Sequence, residues 1–329
     1  MARPLFSNAF MSKILSIVIP VYNVEQYLPR CLNSCISQDI SPDDYEIIIV
    51  VDGSPDNSLS IAKKYEERNA NITVINQENQ GLSVARNNGL KRARGEFVWF
   101  IDSDDWIETN CLHLITQKLV SEHPDLLQIG FQFAYDNTQL NKVSNRGLLE
   151  KTVTGKEAMR MTMVPSPAQF TICRRDFLTK NGLRFFPGIY HEDSEFKPRA
   201  LFYAEKYASL NGIVYYYYQR DRGSIMSSFN KKRGLDLLLV AEHLSTFIDE
   251  KCIEGVLKNH YCLWISMVLN QMLKGLRELD NEDVNEVKEA LLGKKSLFGR
   301  MMQSTRIVHR IEGFLFLINN RVAFTFFGI

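Results

Sequence analysis

The sequence predicts an α/β fold, in which a mostly parallel central sheet carries flanking helices and is followed by a helical C-terminal region. Four short apolar runs lack the polar alternation of half-exposed strands: residues 14–19, 45–51, 72–75 and 97–101. Such runs are typical of strands that are buried on both faces of a parallel sheet. Helical patterns lie between them, and leucine, valine and methionine recur at helical spacing after residue 230.

Strands and helices alternate through the first part of the chain. After the first strand, Asn23 is placed to cap a helical turn, and Pro29 suits the first turn of a helix that turns Leu32 inward. Residues 58–69 and 83–94 supply the next two helices. This alternation predicts right-handed crossovers, so the carboxyl ends of the strands meet at one edge, where ligands bind in open sheets.

The pattern changes twice further along the chain. A helix at 110–122, a strand at 126–133 and a tyrosine-rich strand at 213–218 follow, and then helices at 235–249, 254–279 and 283–291. We therefore expect an N-terminal extension at 1–12, an α/β domain at 13–230 with halves at 13–106 and 107–230, and a helical region at 231–329.

The composition excludes several classes of protein. Lysine and arginine number 39 and aspartate and glutamate 38, so a net charge of +1 gives no basic field for a nucleic-acid partner. The first residues lack the apolar segment of a signal peptide, and no apolar run approaches the roughly 20 residues that span a bilayer. No two of the six cysteines have the C-x-x-C spacing that would suggest a zinc or redox site, so we expect reduced thiols and a cytoplasmic protein.

Three carboxylates, Asp102, Asp104 and Asp105, directly follow the fourth apolar run. Carboxylates this close repel one another at low dielectric, which favours a site where a divalent cation neutralises them. Oxygen ligands of this kind suit Mg²⁺ or Mn²⁺, which usually bridge to substrate phosphates. A solvated acidic turn is the alternative, but the position after a buried strand favours the metal site. Asp105 either shares this binding or caps the next helix, and we expect the cap.

Three stretches occur in a fixed order: IVIPVYNVEQYLPRCLNSCISQ, VVDGSPDNS and QGLSVARNNGLKRARGEFVWFIDSDD. They resemble the nucleotide-binding half of the family 2 glycosyltransferases, which have the Rossmann-like GT-A fold, and the resemblance extends from about Ile14 to Ser228. It implies an inverting, metal-dependent transferase, hexosyl or N-acetylhexosaminyl in type, that moves a sugar from a nucleotide-diphosphate donor, UDP above all, to an acceptor hydroxyl. It also implies a bacterial enzyme of cell-surface polysaccharide biosynthesis with a glycan or lipid-linked glycan acceptor.

The resemblance assigns the nucleotide base to the ends of the first two strands. Pro20 and Tyr22 match positions that line the base, where Tyr22 would contact or stack on uracil. Asp52 matches the aspartate that accepts a hydrogen bond from the uracil ring nitrogen. Family members usually have two aspartates here, and this chain has Val51 before the retained one.

Two further motifs match residue by residue. Arg86 and Asn87 match the ARN element beside the nucleotide, where Arg86 is expected near phosphate; a surface salt bridge is its alternative role. Asp102, Ser103 and Asp104 match the DXD motif, in which the last carboxylate binds the metal and the first lies near the ribose or the metal.

The segment HEDSEF, residues 191–196, resembles the acceptor-side ED motif of the family. Its aspartate, Asp193, is the expected general base, because an acceptor hydroxyl is a poor nucleophile until its proton is taken. Glu192 belongs to the same motif and can also serve as an acidic residue that faces a helix dipole. His191 adjoins the base, where it would ligate the metal or orient the acceptor, or serve as a polar residue of the loop.

The tyrosine-rich strand and the QRDRGSIM sequence after it resemble the element that closes the family's donor site. Family members often have an arginine three residues before the serine of this loop. This chain has Asp221 there, with Arg220 and Arg222 on either side. Either arginine is a candidate to face the diphosphate.

Two other functions compete with glycosyl transfer. Nucleotidyl transfer also uses an α/β sheet with acidic metal ligands, but the first strand lacks a glycine-rich, lysine-bearing phosphate loop. A non-catalytic sugar-nucleotide-binding partner subunit is disfavoured because Asp52, Asp104 and Asp193 are all retained.

The segment 294–329 is predicted to contact a membrane from the cytoplasmic side. No acidic residue lies between 294 and 311, and the basic residues there are Lys294, Lys295, Arg300, Arg306 and Arg310. The aromatic-rich tail that follows is too interrupted to span a bilayer, so the pattern indicates an interfacial anchor on the anionic inner face of the cell membrane, which suits a lipid-linked acceptor. The alternatives are that the tail packs on the helical region or joins copies of the chain as a homo-oligomer.

Overall fold

The computed structural model describes residues 13–164, 167–220 and 228–329. Its strands are β1 (Leu15–Val21), β2 (Tyr45–Asp52), β3 (Ile72–Gln77), β4 (Phe97–Phe100), β5 (Trp106–Ile107), β6 (Leu126–Ala134), β7 (Lys142–Ser144), β8 (Thr171–Arg174) and β9 (Tyr207–Tyr218). Within the described ranges these nine strands form one sheet in the spatial order β3-β2-β1-β4-β8-β6-β9-β5, and β7 pairs with β6.

The first half of the sheet has the architecture that the apolar runs predict. Strands β1 to β4 pair in parallel, and every residue of β1, β2 and β4 is buried. Three helices connect them: α1 (Leu28–Ile36), α2 (Ser58–Arg68) and α3 (Leu82–Arg92). Both faces of these strands are covered, which explains why their sequences are apolar throughout.

The turn after β1 differs from the prediction. Asn23 has a backbone φ of 55° and its N–H donates to the Ser54 hydroxyl at 2.8 Å, so it bends the chain instead of capping a helix. Asparagine tolerates this left-handed conformation better than most residues. Helix α1 begins later, at Leu28, with Pro29 in its first turn as expected.

The second half of the sheet is mixed. Strand β8 pairs antiparallel with both β4 and β6, whereas β9 runs parallel to β6. The helices here are α4 (Leu112–Glu122), α5 (Gly155–Met161), α6 (Arg175–Lys180) and α7 (Glu192–Tyr203). Strand β8 extends the parallel half directly, and its Thr171 contacts Lys197 of α7, the helix that carries the acceptor-side motif.

The C-terminal part is helical, as predicted, and consists of α8 (Lys231–Glu250), α9 (Gly255–Gly275), α10 (Asn281–Leu292), α11 (Lys295–Met302), α12 (Ile307–Ile318) and α13 (Asn320–Phe327). Helix α8 begins where the boundary near residue 230 was expected. However, one continuous cluster of buried apolar side chains extends from Val50 in the sheet through Leu244 of α8 to Phe316 of α12. The helical region therefore shares a core with one face of the sheet.

Several remaining predictions concern the whole chain. No helix in the described ranges is long and apolar enough to cross a membrane. All six cysteines are free thiols, and Cys252 alone among them is exposed. The predicted extension at 1–12 and Arg222 lie outside the described residues.

Candidate functional site

The parallel register brings two predicted nucleotide contacts to the same level of the sheet edge. Val21 of β1 pairs with Val51 of β2, so Tyr22 and Asp52 are the next residues along the two strands. Tyr22 is 51% exposed, which leaves its ring accessible to a ligand. Pro20 is buried at the end of β1.

Asp52 is a buried carboxylate that anchors the loop after β3. It accepts hydrogen bonds from the Gln77 side chain at 2.7 Å and from the backbone N–H groups of Gln80 and Gly81 at 2.9 and 2.8 Å. A carboxylate has about four lone-pair positions, so it can accept a further hydrogen bond from a ligand. The loop contacts fix the orientation of Asp52 at the strand end.

Arg86 of α3 lies at the centre of the site and joins three elements. Its side chain is 3% exposed and donates to Asp102 after β4 at 2.7 Å and to Glu192 at the start of α7. Burial lowers the pKa of this guanidinium, but the two carboxylates outweigh burial and raise the pKa above its ordinary value. The surface salt bridge considered for Arg86 is therefore a buried one that connects the DXD motif with the ED motif.

Asn87, the next residue of α3, binds the protein backbone with both ends of its amide. Its Nδ2 donates to the carbonyl of Phe185 at 2.8 Å, and its Oδ1 accepts from the Phe185 N–H at 3.0 Å. The guanidinium carbon of Arg86 lies 5.2 Å from the centre of the Phe185 ring. Asn87 thus positions the segment that supports Arg86, and its contact with nucleotide stays a prediction.

Asp102 and Asp104 follow β4, and Ser103 is buried between them. The Asp104 carboxylate accepts a hydrogen bond from Nε of Arg220 at 2.7 Å. The backbone carbonyl of Asp104 accepts another from the Arg30 guanidinium at 3.0 Å. Burial raises the pKa of Asp104; Arg220 opposes this effect and the neighbouring Asp102 adds to it. A second positive charge at this position would favour the ionised carboxylates.

The donor atoms at this strand end fit a hard divalent cation that is completed by substrate. Within the described ranges, no three His, Cys, Asp or Glu side chains are grouped so as to hold a metal ion. Mg²⁺ is commonly held by one or two carboxylates together with substrate phosphates and water. Asp102 and Asp104 supply such oxygens, and their mutual repulsion is what a cation would relieve.

Asp105 does not cap a helix, in contrast to our expectation. Its carboxylate is fully buried and accepts hydrogen bonds from the Tyr215 hydroxyl at 2.5 Å and from the Tyr218 N–H at 2.7 Å. Burial and the charges of Asp104 and Asp102 raise its pKa well above the ordinary value. Asp105 therefore attaches strand β9 to the DXD motif, a contact between residues too distant in sequence for local patterns to predict.

The ED motif forms the first turn of α7. His191 precedes the helix with a φ of 61°, and its Nε2 accepts from Arg233 of α8 at 3.0 Å. Burial lowers the pKa of His191, which favours the neutral ring that this contact requires. Asp193 is half-buried and accepts from the Ser194 N–H at 2.7 Å. Burial raises the pKa of Glu192 to about 7 against the opposing effect of Arg86.

Arg30 of α1 is a residue of this region that sequence reasoning missed. Its guanidinium carbon lies 3.8 Å from the centre of the Trp106 ring and 4.4 Å from that of Tyr218. It also donates to the Asp104 carbonyl. An arginine beside the strand end, together with the tryptophan that follows the DXD motif, was a signal that could have suggested this contact.

Lys197 is a second residue that sequence reasoning missed. It is 2% exposed and lies one helical turn after Asp193 on α7. Its ammonium group donates to the Thr171 hydroxyl, and burial lowers its pKa to about 8. A lysine in a charged helical segment is normally solvated, so the sequence contains no signal of its burial.

The family model "Glycosyl transferase family 2" matches residues 16–180 of this chain. The uncharacterized glycosyltransferase EpsJ of Bacillus subtilis (strain 168) is 33% identical over an alignment of 262 residues that covers 77% of this chain and 72% of EpsJ. The poly(ribitol-phosphate) beta-N-acetylglucosaminyltransferase TarS of Staphylococcus aureus (strain Mu50) is 30% identical over 220 residues, but the match spans only 65% of this chain and 37% of TarS.

Solved structures share the fold. TarS 1–349 of S. aureus, in complex with UDP-GlcNAc, has a TM-score of 0.74 at 22% identity and covers 94% of this chain and 89% of that chain. The mannosyltransferase PcManGT from Pyrobaculum calidifontis, in complex with GDP-Man and Mn²⁺, has a TM-score of 0.52 at 14% identity and covers 94% of this chain and 85% of that one. These likenesses confirm the predicted GT-A fold.

The sequence comparisons extend over most of the chain and include all of the motifs at the strand ends. They favour glycosyl transfer over nucleotidyl transfer, the second enzyme class considered above. Because the family model covers residues 16–180 and EpsJ is 33% identical over 77% of the chain, this protein belongs to glycosyl transferase family 2.

Proposed function

We propose that the protein is an inverting, metal-dependent glycosyltransferase that moves a hexosyl or N-acetylhexosaminyl group from a UDP-linked donor to an acceptor hydroxyl. The observation that carries the proposal is the buried contact of Arg86 with both Asp102 and Glu192. It brings the donor-side and acceptor-side motifs together although residues 86 and 192 lie 106 positions apart. A transferase needs this proximity, since the acceptor oxygen must reach the anomeric carbon of a bound donor.

The nucleotide would lie at the carboxyl ends of β1 and β2. The exposed ring of Tyr22 is available to stack on the base above Pro20, and Asp52 would accept from the ring nitrogen. The complex of TarS with UDP-GlcNAc supports uracil as the base. Asn87 would support the nucleotide site indirectly, by fixing the backbone segment that its side-chain amide binds.

The diphosphate would lie beside Asp102, Ser103 and Asp104. A bound Mn²⁺ or Mg²⁺ would offset the negative charge that grows on the leaving diphosphate, and PcManGT in complex with Mn²⁺ supports such a site. Arg220, which binds Asp104 here, would turn its guanidinium toward the phosphates. Arg222 remains the second candidate for that role.

Asp193 would act as the general base. As the acceptor oxygen bonds to the anomeric carbon, Asp193 takes the hydroxyl proton, and the bond from that carbon to the diphosphate oxygen breaks on the opposite face. One displacement of this kind inverts the anomeric centre. Glu192 would position Arg86, and His191 would fix the start of the helix that carries Asp193.

The proposed setting is bacterial cell-surface polysaccharide biosynthesis on the cytoplasmic side of the membrane. The name of TarS, which transfers N-acetylglucosamine to poly(ribitol-phosphate), supports a polymeric acceptor, either a glycan or a lipid-linked glycan. Contact with the membrane would bring the site close to such an acceptor. A second copy of the chain remains the other candidate partner.

The two halves of the proposal can be tested separately by calorimetry and by sugar transfer from UDP-GlcNAc. Asp104→Asn should weaken UDP binding in the presence of Mn²⁺ down to the level that wild type shows in EDTA, because the cation loses a ligand. Asp193→Asn should bind UDP as wild type does and lose about 10²- to 10⁴-fold in transfer rate, because the base alone is removed.

Asp176→Asn is the matched control, since Asp176 also lies in the first turn of a helix but is 73% exposed. It should change neither measurement. Equal UDP affinity of wild type with Mn²⁺ and with EDTA would remove the metal from the proposal. Near wild-type turnover by Asp193→Asn would place the base elsewhere, with Glu192 as the next candidate.

A further inference from the structure

Helix α12 buries two polar residues and exposes most of its apolar residues to solvent. The buried face holds His309 and Glu312, which are 6% and 4% exposed. The outward residues Ile307 and Ile318 are 71% and 67% exposed, and Ile311 and Phe314 are each 50% exposed. A helix on the surface of a soluble protein normally has the reverse arrangement.

This orientation is fixed by specific contacts. Glu312 accepts a hydrogen bond from Asn270 of α9 at 2.9 Å. Phe316 stacks on Phe298 of α11 with ring centres 4.6 Å apart. A Cβ at Gly313 would lie 2.7 Å from the Phe298 carbonyl oxygen, so only glycine allows the two helices to approach this closely. The helix cannot turn its apolar face inward without losing these contacts.

The exposed apolar residues form one continuous surface on α12, which we call the apolar face of α12. Four of them follow the spacing of a single helical stripe, and the others lie beside it: Ile307, Ile311, Phe314 and Ile318, with Val308 and Leu317. Helix α13 adds Val322 and Phe326, which are 49% and 57% exposed. Exposed apolar surface of this extent marks an interaction site.

The exposed charged side chains within residues 302–329 are all positive. Arg306, Arg310 and Arg321 are exposed, and the single acidic side chain between residues 302 and 329 is the buried Glu312. Two other basic residues of the predicted anchor add no net positive charge to this surface, because Lys294 pairs with Glu242 and Arg300 pairs with Asp249. The positive charge therefore lies next to the apolar face itself.

This charge distribution distinguishes between two kinds of occupant. A second copy joined by two-fold symmetry would place the same surface against itself. Arg306, Arg310 and Arg321 would then face the same positive surface, in which residues 302–329 offer no exposed carboxylate. An anionic lipid surface supplies both an apolar layer for isoleucine and phenylalanine and negative headgroups for arginine.

We propose that the apolar face of α12, extended by Val322 and Phe326 of α13, binds the surface of an anionic lipid bilayer. The helices lie parallel to the membrane at the level of the headgroups, with the apolar side chains in the acyl boundary and the three arginines on the phosphates. Neither helix spans the bilayer. The binding is independent of the transfer reaction and would hold whatever the sugar or acceptor is.

Sedimentation with vesicles tests the proposal on the full chain. Wild type should bind vesicles that contain phosphatidylserine in phosphatidylcholine much more tightly than pure phosphatidylcholine vesicles, and high salt should weaken that binding. The pair Ile311→Ser and Phe314→Ser should reduce binding about tenfold or more for each side chain. Changing Arg306, Arg310 and Arg321 to Gln should cost about fivefold for each arginine.

Matched controls carry equivalent changes elsewhere on the surface. Val120→Ser with Leu140→Ser removes apolar side chains that are 60% and 59% exposed. Changing Lys64, Lys91 and Arg92 to Gln removes three exposed charges. Both controls should bind vesicles as wild type does. Retained UDP affinity in every variant would show that the fold and the donor site are intact.

The outcomes divide clearly. Binding by the Ile311→Ser and Phe314→Ser variant that equals that of wild type would overturn the proposal, as would equal binding of wild type to the two kinds of vesicle. Light scattering measures whether the apolar face of α12 instead binds a second copy of the chain. A wild-type dimer that this variant dissociates, together with no vesicle binding, would assign the face to a second copy of the chain instead.

Discussion

Arg86 is one buried cation that is bound by two carboxylates. Asp102 and Glu192 contact it directly, and the charge of Asp193 also raises its pKa. Burial and the charge of Asp193 raise the pKa of Glu192, and the single positive charge of Arg86 does not fully offset them. The fork-shaped guanidinium can bind two carboxylates at fixed angles, whereas an ammonium group cannot.

Arg86→Lys tests the importance of that geometry. The lysine keeps the charge but cannot hold both carboxylates, so we expect a loss of about 1–3 kcal/mol in the free energy of unfolding. Transfer should fall about tenfold or more, since 1.36 kcal/mol of lost positioning in the transition state is a tenfold loss in rate. Urea denaturation and initial rates measure the two effects.

Arg94→Lys is the control for Arg86→Lys, because Arg94 pairs with Glu46 but its own side chain is 65% exposed. The buried Glu46 carboxylate also accepts hydrogen bonds from the Ser16 hydroxyl and from the backbone N–H groups of Arg94 and Gly95, which the substitution leaves in place. The lysine keeps the charge at the solvent-exposed end of the pair, so this variant should remain close to wild type in both measurements. If the two lysine variants behaved alike, the buried geometry of Arg86 would have no special role.

At the scale of elements, helix α7 carries the ED motif and is supported by α9 at an internal proline. Pro198 has no N–H to donate to the Ser194 carbonyl, one turn earlier in the helix. The indole of Trp264 donates to that carbonyl at 3.2 Å, and the Tyr261 hydroxyl donates to the Pro198 carbonyl at 2.8 Å. The helical C-terminal region thus stabilises the turn that positions Asp193.

A double-mutant cycle measures this support. Trp264→Phe should lower the free energy of unfolding by about 1 kcal/mol through the lost hydrogen bond. Pro198→Ala restores a backbone donor for the Ser194 carbonyl, so the same tryptophan substitution should cost less in that background. Denaturation of the four proteins gives the coupling energy. A coupling energy of zero would mean that Trp264 does not substitute for the missing N–H.

At the scale of the whole molecule, one apolar cluster joins the sheet and the C-terminal helices. Val18 and Phe100 of the sheet belong to the same cluster as Leu269 of α9 and Phe327 of α13. Regions that share a core lose their packing together, so we expect the nucleotide site and the helical region to unfold in one transition. The division into domains near residue 230 stays a prediction, and unfolding measured at two sites tests it.

Leu244→Ala is the change that tests shared unfolding. Leu244 of α8 is fully buried, and its truncation should cost about 2–5 kcal/mol. The denaturation midpoints from helical circular dichroism and from loss of UDP binding should fall by the same amount. Leu235→Ala on the same helix is the control, since Leu235 is 37% exposed. Separate midpoints for the two probes would indicate two independent domains.

The sequence by itself determined the elements that have strong local patterns. The apolar runs predicted β1 to β4, and helical periodicity predicted α2, α3, α4, α8, α9 and α10, because both signals depend on neighbouring residues. Short elements such as β5, β8 and α6 have too few residues for a period and were not predicted. The candidate site residues were recognised because the motifs are contiguous segments at strand ends.

Only the tertiary structure decided how these parts are connected. Arg86 meets Glu192 across 106 positions, and Asp105 meets Tyr215 across 110, so the role of each depends on a partner that no local pattern specifies. The same reason explains the burial of Lys197, whose charge would normally keep it in solvent. The sequence showed that the C-terminal segment is apolar and basic, but packing of α12 on α9 and α11 determined which of its faces remains exposed.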